Sequence, residues 1–187
     1  MKFKAIAVFV AVLCLGIMAV AQDAPKAEFF GGYQYLSLDG QGGSRTSLNG
    51  FNADVAFRAA KHVALVGDFG LGFKTVAVDT VDGIVDVKMK MYPILFGPRF
   101  IATKGKVTPF AEALFGITHL AGSATVGGVS GGDSVNKLSF AFGGGFDAHV
   151  NQKVAIRVAK LDYLIVRAGD GVNLKNLRYS AGIVFKF

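Results

Sequence analysis

Three residues of this sequence suggest nucleophilic chemistry by type: His119, Ser123 and, upstream of them, Glu112. A hydrolase of the Ser–His–acid kind needs its hydroxyl, imidazole and carboxylate within hydrogen-bond reach of one another. On an extended strand, positions four apart share a face but stand roughly 13 Å apart. A triad here would therefore need loop curvature. The other two histidines, His62 and His149, fall in a turn and at a strand end, where solvated or structural roles are expected. No two histidines are spaced as a metal-binding pair, so no metal ion is expected. The triple glycine Gly143–Gly145 precedes no helical pattern, which argues against a phosphate cradle and for close backbone approach or sheet curvature. No catalytic residue and no cofactor is assigned.

Charge is the more informative chemistry. Asp54, Arg58, Asp68, Lys88, Arg99, Glu112, Asp147, Arg157, Asp162 and Arg178 all fall, by alternation, on the faces of their segments that also carry Gly, Ala, Ser and Thr. Glu28 and Lys90 join them. Two readings follow. Acids and bases pair inside a narrow enclosure as a structural network, since each would cost several kcal/mol unpaired, or they line an ion pathway or ligand pocket.

The segments that carry these charges read as strands. The last, Lys175 to Phe187, places Leu177, Tyr179, Ala181, Ile183, Phe185 and Phe187 on one face and Arg178, Ser180, Gly182, Val184 and Lys186 on the other, a period of two. The same alternation marks strands from about Ala27 to Leu38, around Phe51–Phe57, from Val63 to Phe73, from Val85 to Phe100, from Val107 to Ala121, from Leu138 to Val150 and from Val154 to Ile165. Two of these strands show a parity switch. Val85, Val87, Met89 and Met91 give way to Ile94, Phe96 and Phe100 as the apolar face, which predicts a bulge near Tyr92–Pro93. A second switch falls near Lys160. Long connections are expected at Asp39–Ser47, Lys74–Ile84, Gly122–Val135 and Ala168–Leu174, and short ones at Ala59–His62, Thr103–Lys106 and Asn151–Lys153. Long and short thus alternate, as in up-and-down barrels whose short turns face the periplasm.

The front of the chain sets the compartment. Lys2 and Lys4 precede an apolar run from Ala5 to Val20, and Ala19-Val20-Ala21 supplies small residues for cleavage after Ala21. Residues 1–21 are read as a signal peptide and 22–187 as one domain. A membrane anchor is the rival, but the run falls short of the roughly twenty residues that span a bilayer. Leu13 before Cys14 argues against a lipoprotein. Cleavage removes Cys14, the only cysteine, and with it any disulfide. It also removes Lys2 and Lys4, taking the formal charge from +7 to +5. The basic residues are scattered, which argues against nucleic acid.

FFGGYQYL (Phe29–Leu36), FGPRF (Phe96–Phe100), TPFAEALFG (Thr108–Gly116), FAFGGGFD (Phe140–Asp147) and LRYSAGIVFKF (Leu177–Phe187), in this order, resemble the OmpA- and OmpX-like small outer-membrane barrels of bacteria. The resemblance covers Glu28 to Phe187. It departs from the usual pattern in having no Trp for the aromatic girdles. The expected fold is all-β, an eight-stranded antiparallel up-and-down transmembrane β-barrel in the bacterial outer membrane, with both termini periplasmic. The resemblance implies a partner, the barrel assembly machinery, reading the last strand through Tyr179, Ile183, Phe185 and Phe187. The expected role is structural or a surface interaction, with an extracellular ligand at the long loops and a lumen largely filled by paired charges. A narrow porin-like channel for small solutes is the alternative. A soluble lipocalin-like barrel is the third reading and would need its apolar faces turned inward.

Overall fold

The computed structural model describes residues 27–39, 45–80, 83–102, 105–126, 129–169 and 172–187. The leader, residues 1–21, lies outside them. Eight strands run in chain order: β1 (Ala27–Asp39), β2 (Arg45–Ala60), β3 (Val63–Thr80), β4 (Gly83–Ile101), β5 (Val107–Val126), β6 (Val129–His149), β7 (Val154–Gly169) and β8 (Val172–Lys186). Each pairs antiparallel with its sequence neighbours, and β8 closes on β1 from Glu28↔Lys186 to Ser37↔Leu177. Phe187 and Ala27 exchange two backbone hydrogen bonds at the foot of that seam. Closure leaves no strand edge along the shared length of the barrel.

Alternation does here what it does in any sheet, but the two faces are inverted relative to a soluble barrel. Arg157 and Arg178 are fully buried, whereas Phe51 is 63% and Phe57 59% exposed. A soluble lipocalin-like barrel would hide the rings and expose the charges. Phe, Tyr, Leu, Ile and Val residues cover the outside, as lipid contact requires. This inversion excludes the soluble reading.

Three of the four connections expected to be long are mostly strand, and the flanking strands reach into the other, Asp39–Ser47. β1 runs through Asp39 and β2 begins at Arg45; β3 reaches Thr80 and β4 begins at Gly83. β5 reaches Val126 with β6 starting at Val129, and β7 reaches Gly169 with β8 starting at Val172. In Lys74–Ile84 alternating valines carry the flanking strands into the connection, as the sequence allowed; in Gly122–Val135 glycine and serine composition suggested a loop, but pairing of β5 with β6 continues to Val126↔Val129. The asymmetry between the two ends of the barrel is therefore one of strand length. Beyond Phe73, β3 no longer pairs with β2, and β6 before Ser139 has no β7 partner. β3 to β6 thus rise as a four-stranded wall above the rest of the rim.

Pro93 produces no bulge, contrary to the sequence expectation. The β3–β4 pairing resumes in the same register on either side of it, from Phe69↔Ile94 to Gly72↔Met91. Proline's missing N–H leaves a local gap in the ladder toward β3, and the strand runs straight through. Met91 is consequently buried inside, Met89 and Val87 are half-buried, and Lys88 and Lys90 are exposed on the outer face. The switch expected near Lys160 is present. Between Arg157 and Lys160, β7 advances three positions against two on β8, and its register against β6 shifts at the same place. Arg157 and Lys160 both point inward as a result.

The bulge gives a sign-specific prediction. Deleting Val158 leaves Arg157 and Lys160 two positions apart, which restores regular alternation on both neighbours. That variant should fold and keep its shifted migration in unheated detergent gels. Deleting Leu164 instead turns Lys160 and Asp162 toward lipid, where a basic residue near the midplane costs about 2–4 kcal/mol. The folded band should be lost in that variant.

Candidate functional site: the charged interior

The interior is built from the inward positions of all eight strands. Nine of the ten charges assigned to it from sequence are there: Asp54, Arg58, Asp68, Arg99, Glu112, Asp147, Arg157, Asp162 and Arg178. Lys88 is not. The β4 ladders carry it to the outer face, because the apolar residues of upper β4 turn toward the mouth of the barrel once the strand rises past the lipid-facing band. Lys160, Lys186 and Glu28 complete the set. Lys160 had been obscured by the bulge, which makes its parity unreadable from alternation alone.

Three tiers can be distinguished. At the end where the termini meet, Glu28 pairs with Arg58 at 3.0 Å and lies 3.9 Å from Lys186. Lys186 Nζ stands 3.3 Å from both ring nitrogens of His149, and His149 Nε2 is 2.7 Å from Thr108 Oγ1. In the middle tier Asp54 receives two guanidinium groups. Arg99 donates to it at 2.9 and 3.2 Å, and Arg157 at 2.6 Å. The far sides of these arginines are held by Glu112 at 2.7 Å and by Asp147 at 2.8 and 3.1 Å. Phe110 lies between the two guanidinium groups, each 4.6 Å from its centroid, and Phe30 takes the other face of Arg157 at 4.4 Å. These cation–π contacts add to the ion pairs because the groups are shielded from water.

In the third tier Arg178 donates to Asp68 at 2.5 Å and to Asp162 at 2.8 Å. Asn52 donates to Asp68 at 3.1 Å. Lys160 joins the upper two tiers. Its ammonium lies 2.7 Å from both Asp68 and Glu112, and 3.7 Å from Asp54 and Asp162. Its bond to Asp68 is an aligned hydrogen bond, whereas Glu112 Oε1 is met as an ion pair without that alignment.

The set is balanced. Glu28, Asp54, Asp68, Glu112, Asp147 and Asp162 are six acids; Arg58, Arg99, Arg157, Lys160, Arg178 and Lys186 are six bases. Glycines make the room for them. A side chain at Gly143 would strike Asp162, and one at Gly145 would meet the Phe110 ring at 2.9 Å. Side chains at these two positions would also meet the backbone carbonyls of Leu161 and Ala159, so the glycines serve close backbone approach as well as room for Asp162 and Phe110.

The interior also holds the uncharged polar residues Gln34, Thr118, Ser139 and Ser180, all fully buried. Ser139 donates to Thr118 at 2.7 Å. The mouth beyond it is apolar, with Leu38, Leu48, Met91, Leu120 and Leu174 lining a cavity of about 360 Å³. His119, Ser123 and Glu112 do not converge. His119 is bonded to Asn136 at 2.8 Å and tilted against Tyr92, whereas Glu112 is held in the interior by Arg99 and Lys160. His62 sits 3.2 Å from the Ile101 carbonyl oxygen, on the β2–β3 turn at the same end of the barrel as His149.

A closed antiparallel barrel of eight strands, with rings outside and balanced charge inside, is a barrel of the membrane-spanning class. The chain belongs to the outer membrane protein beta-barrel domain family, which it matches over residues 7–187. That membership makes it an integral protein of the outer membrane. Among solved structures it is similar to Ail, the attachment invasion locus protein of Yersinia pestis, with a TM-score of 0.64 at 20% identity over 88% of this chain and 100% of that one. Neisserial surface protein A gives 0.66 at 17% identity, over 89% and 100%. OprG from Pseudomonas aeruginosa gives 0.53 at 14%, over 89% and 98%. At these identities the likeness is one of fold. No curated protein matches the sequence.

Lys160 is the test of how the network holds. Lys160→Met removes the ammonium shared by Asp68 and Glu112 and should destabilise the barrel by about 3–5 kcal/mol, measured by urea unfolding in lipid vesicles. Adding Glu112→Gln restores the balance of charge and should recover part of that loss. Lys61→Gln, on an exposed turn, should change nothing measurable.

Proposed function

We propose that the protein is a structural or surface-interaction barrel whose lumen is plugged by its own paired charges. One observation carries this reading. Arg99, Arg157, Lys160 and Arg178 each cross the lumen to acids on other strands and are at most 1% exposed. Eight strands enclose an interior that side chains can fill, and here large charged ones occupy it. No catalytic role is assigned. A surface role is supported by the fold shared with Ail, which was crystallised with the heparin analogue sucrose octasulfate. In this chain contact would be made at the hairpin ends opposite the termini.

The alternative is a narrow porin-like channel for small solutes. It draws support from Gln34, whose amide oxygen and nitrogen are buried without a protein partner, and from the Ser180 hydroxyl in the same condition. Such groups favour ordered water. Planar-bilayer recording separates the two. The plugged reading expects no steady conductance from the native chain and its appearance in Asp54→Ala/Arg157→Ala, which removes one acid and one base from the middle tier. Steady conductance of the native barrel would instead establish the pore.

Orientation and maturation belong to the same proposal. Both termini and the short turns face the periplasm, the leader is cleaved after Ala21, and the barrel assembly machinery reads Tyr179, Ile183, Phe185 and Phe187. Tyr179, Ile183 and Phe185 share the outer face of β8 and Phe187 follows it directly, where a partner can reach them before closure. Intact-mass measurement of the protein taken from membranes should give a chain beginning at Gln22. A mass that retains residues 1–21 would refute the cleavage.

A further inference from the structure

The wall formed by β3 to β6 has an inner face of its own. Its cross-strand registers put Lys74, Met89, Gly122 and Asp133 in one row. Leu120 and Val135 are paired in the row below, Val76 and Val87 in the row above. Two-residue steps along each strand keep these rows on one side of the sheet. That side is the inner one, since Met89, Leu120, Asp133 and Val135 line the cavity of about 360 Å³ at the mouth. The centre of the Lys74–Asp133 row is open, because a side chain at Gly122 would meet nothing within 4 Å.

The two ends of that row are charged. Lys74 stands on the β3 edge just beyond the last β2 pairing, and Asp133 on the β6 edge that has no β7 partner. Three strand spacings separate them, roughly 14 Å. Among the described residues neither has an ion-pair partner; the Asp133 carboxylate accepts the N–H of Ser134 at 2.7 Å. Their cross-strand neighbours in the row, Met89 and Gly122, carry no charge. Every base of the barrel interior, by contrast, faces an acid. An acid and a base thus stand at one level on opposite sides of an apolar hollow, too far apart to neutralise each other. A hydrocarbon would use neither, and a ligand of single charge would leave one of them unpaired. A zwitterion with an apolar body uses both.

We propose that the mouth cavity is a binding site for a short apolar peptide in its zwitterionic form, with the peptide ammonium at Asp133, its carboxylate at Lys74 and its side chains on Met89, Leu120 and Val135. An extended tripeptide spans roughly 10 Å between its ends, and the lysine stem covers the remainder with its apolar length along the wall. The cavity volume lies at the lower end of those that hold small ligands, which suits a peptide of this size. Its backbone N–H and C=O groups turn to the open side of the mouth, where water satisfies them. The site stands on the mouth side of the paired charges, so it goes beyond the structural role and does not rest on whether the lumen conducts.

Isothermal titration calorimetry of the folded barrel in nanodiscs, with trileucine as the probe and empty nanodiscs as the blank, tests the assignment. The native chain should bind trileucine, and N-acetylation or C-amidation of the peptide should each weaken binding about fivefold. Asp133→Asn should weaken the free peptide by the same factor and leave the acetylated one unchanged. Lys74→Gln should do likewise for the free and the amidated peptide. Asp133→Lys/Lys74→Asp should bind the free peptide in the reverse direction, where Asp133→Lys alone loses it. If a variant does not fold, the three peptides compared on the native chain still decide. No heat beyond the blank overturns the proposal. So does equal binding of the three peptides, which makes the cavity a site for uncharged apolar compounds, or a preference that rests on one peptide end alone. A folded Asp133→Asn or Lys74→Gln chain that discriminates among the peptides as the native chain does also overturns it.

Discussion

Asp54 receives Arg99 from β4 and Arg157 from β7 on one carboxylate, and the rest of the interior depends on that meeting. Neither arginine is adjacent to β2 in the sheet, so both bonds cross the lumen. They form only when the sheet has curled far enough to bring distant strands face to face. Removing a single partner would leave a buried charge uncompensated, a loss of about 3–5 kcal/mol that no neighbour can make good without moving. The ion pairs are therefore evidence of a unique closed register more than of raw stability.

Much of this was legible in the sequence because the period of two survives wherever the outer face meets lipid. Phe51, Phe57, Phe96, Phe142 and Phe185 each announced an outward position, and the charges between them followed by parity. The rule that apolar means outward fails where the strand leaves the lipid-facing band. Met89 and Met91 then turn toward the mouth of the barrel, and Lys88 and Lys90 take the outer face. Alternation alone cannot say where the band stops; a bulge at Pro93 and a change of environment leave the same signature. The cross-strand register distinguishes them, and it is a property of two strands that a single stretch of sequence does not contain.

Lys160 was hidden for the complementary reason. A real bulge does lie in β7, and a residue beside a bulge can fall on either face. What decides its side is the company inside: four carboxylates converge within 3.7 Å of its ammonium. The triple glycine was more legible. Gly143 and Gly145 read in sequence as sites of close backbone approach or curvature; a Cβ at either would meet the β7 backbone, and also Asp162 or Phe110, which alternation alone does not name. Loop composition misled at Gly122–Val135, where pairing with a neighbouring strand, invisible in composition, decided the outcome.

The balance of six acids against six bases also constrains how the barrel can be assembled. A basic residue turned to lipid near the midplane costs about 2–4 kcal/mol, so an open sheet presenting its inner face to hydrocarbon would be far uphill. An inner face left in water has no such difficulty, but Asp54 then lacks Arg157, and Asp68 lacks Lys160 and Arg178, until β7 and β8 are in place. Closing the β1–β8 seam, expelling water from the lumen and forming the cross-barrel ion pairs are thus one event. It is the last strand that completes it, since Arg178 carries the bond to Asp68 and Phe187 carries the backbone bonds to Ala27.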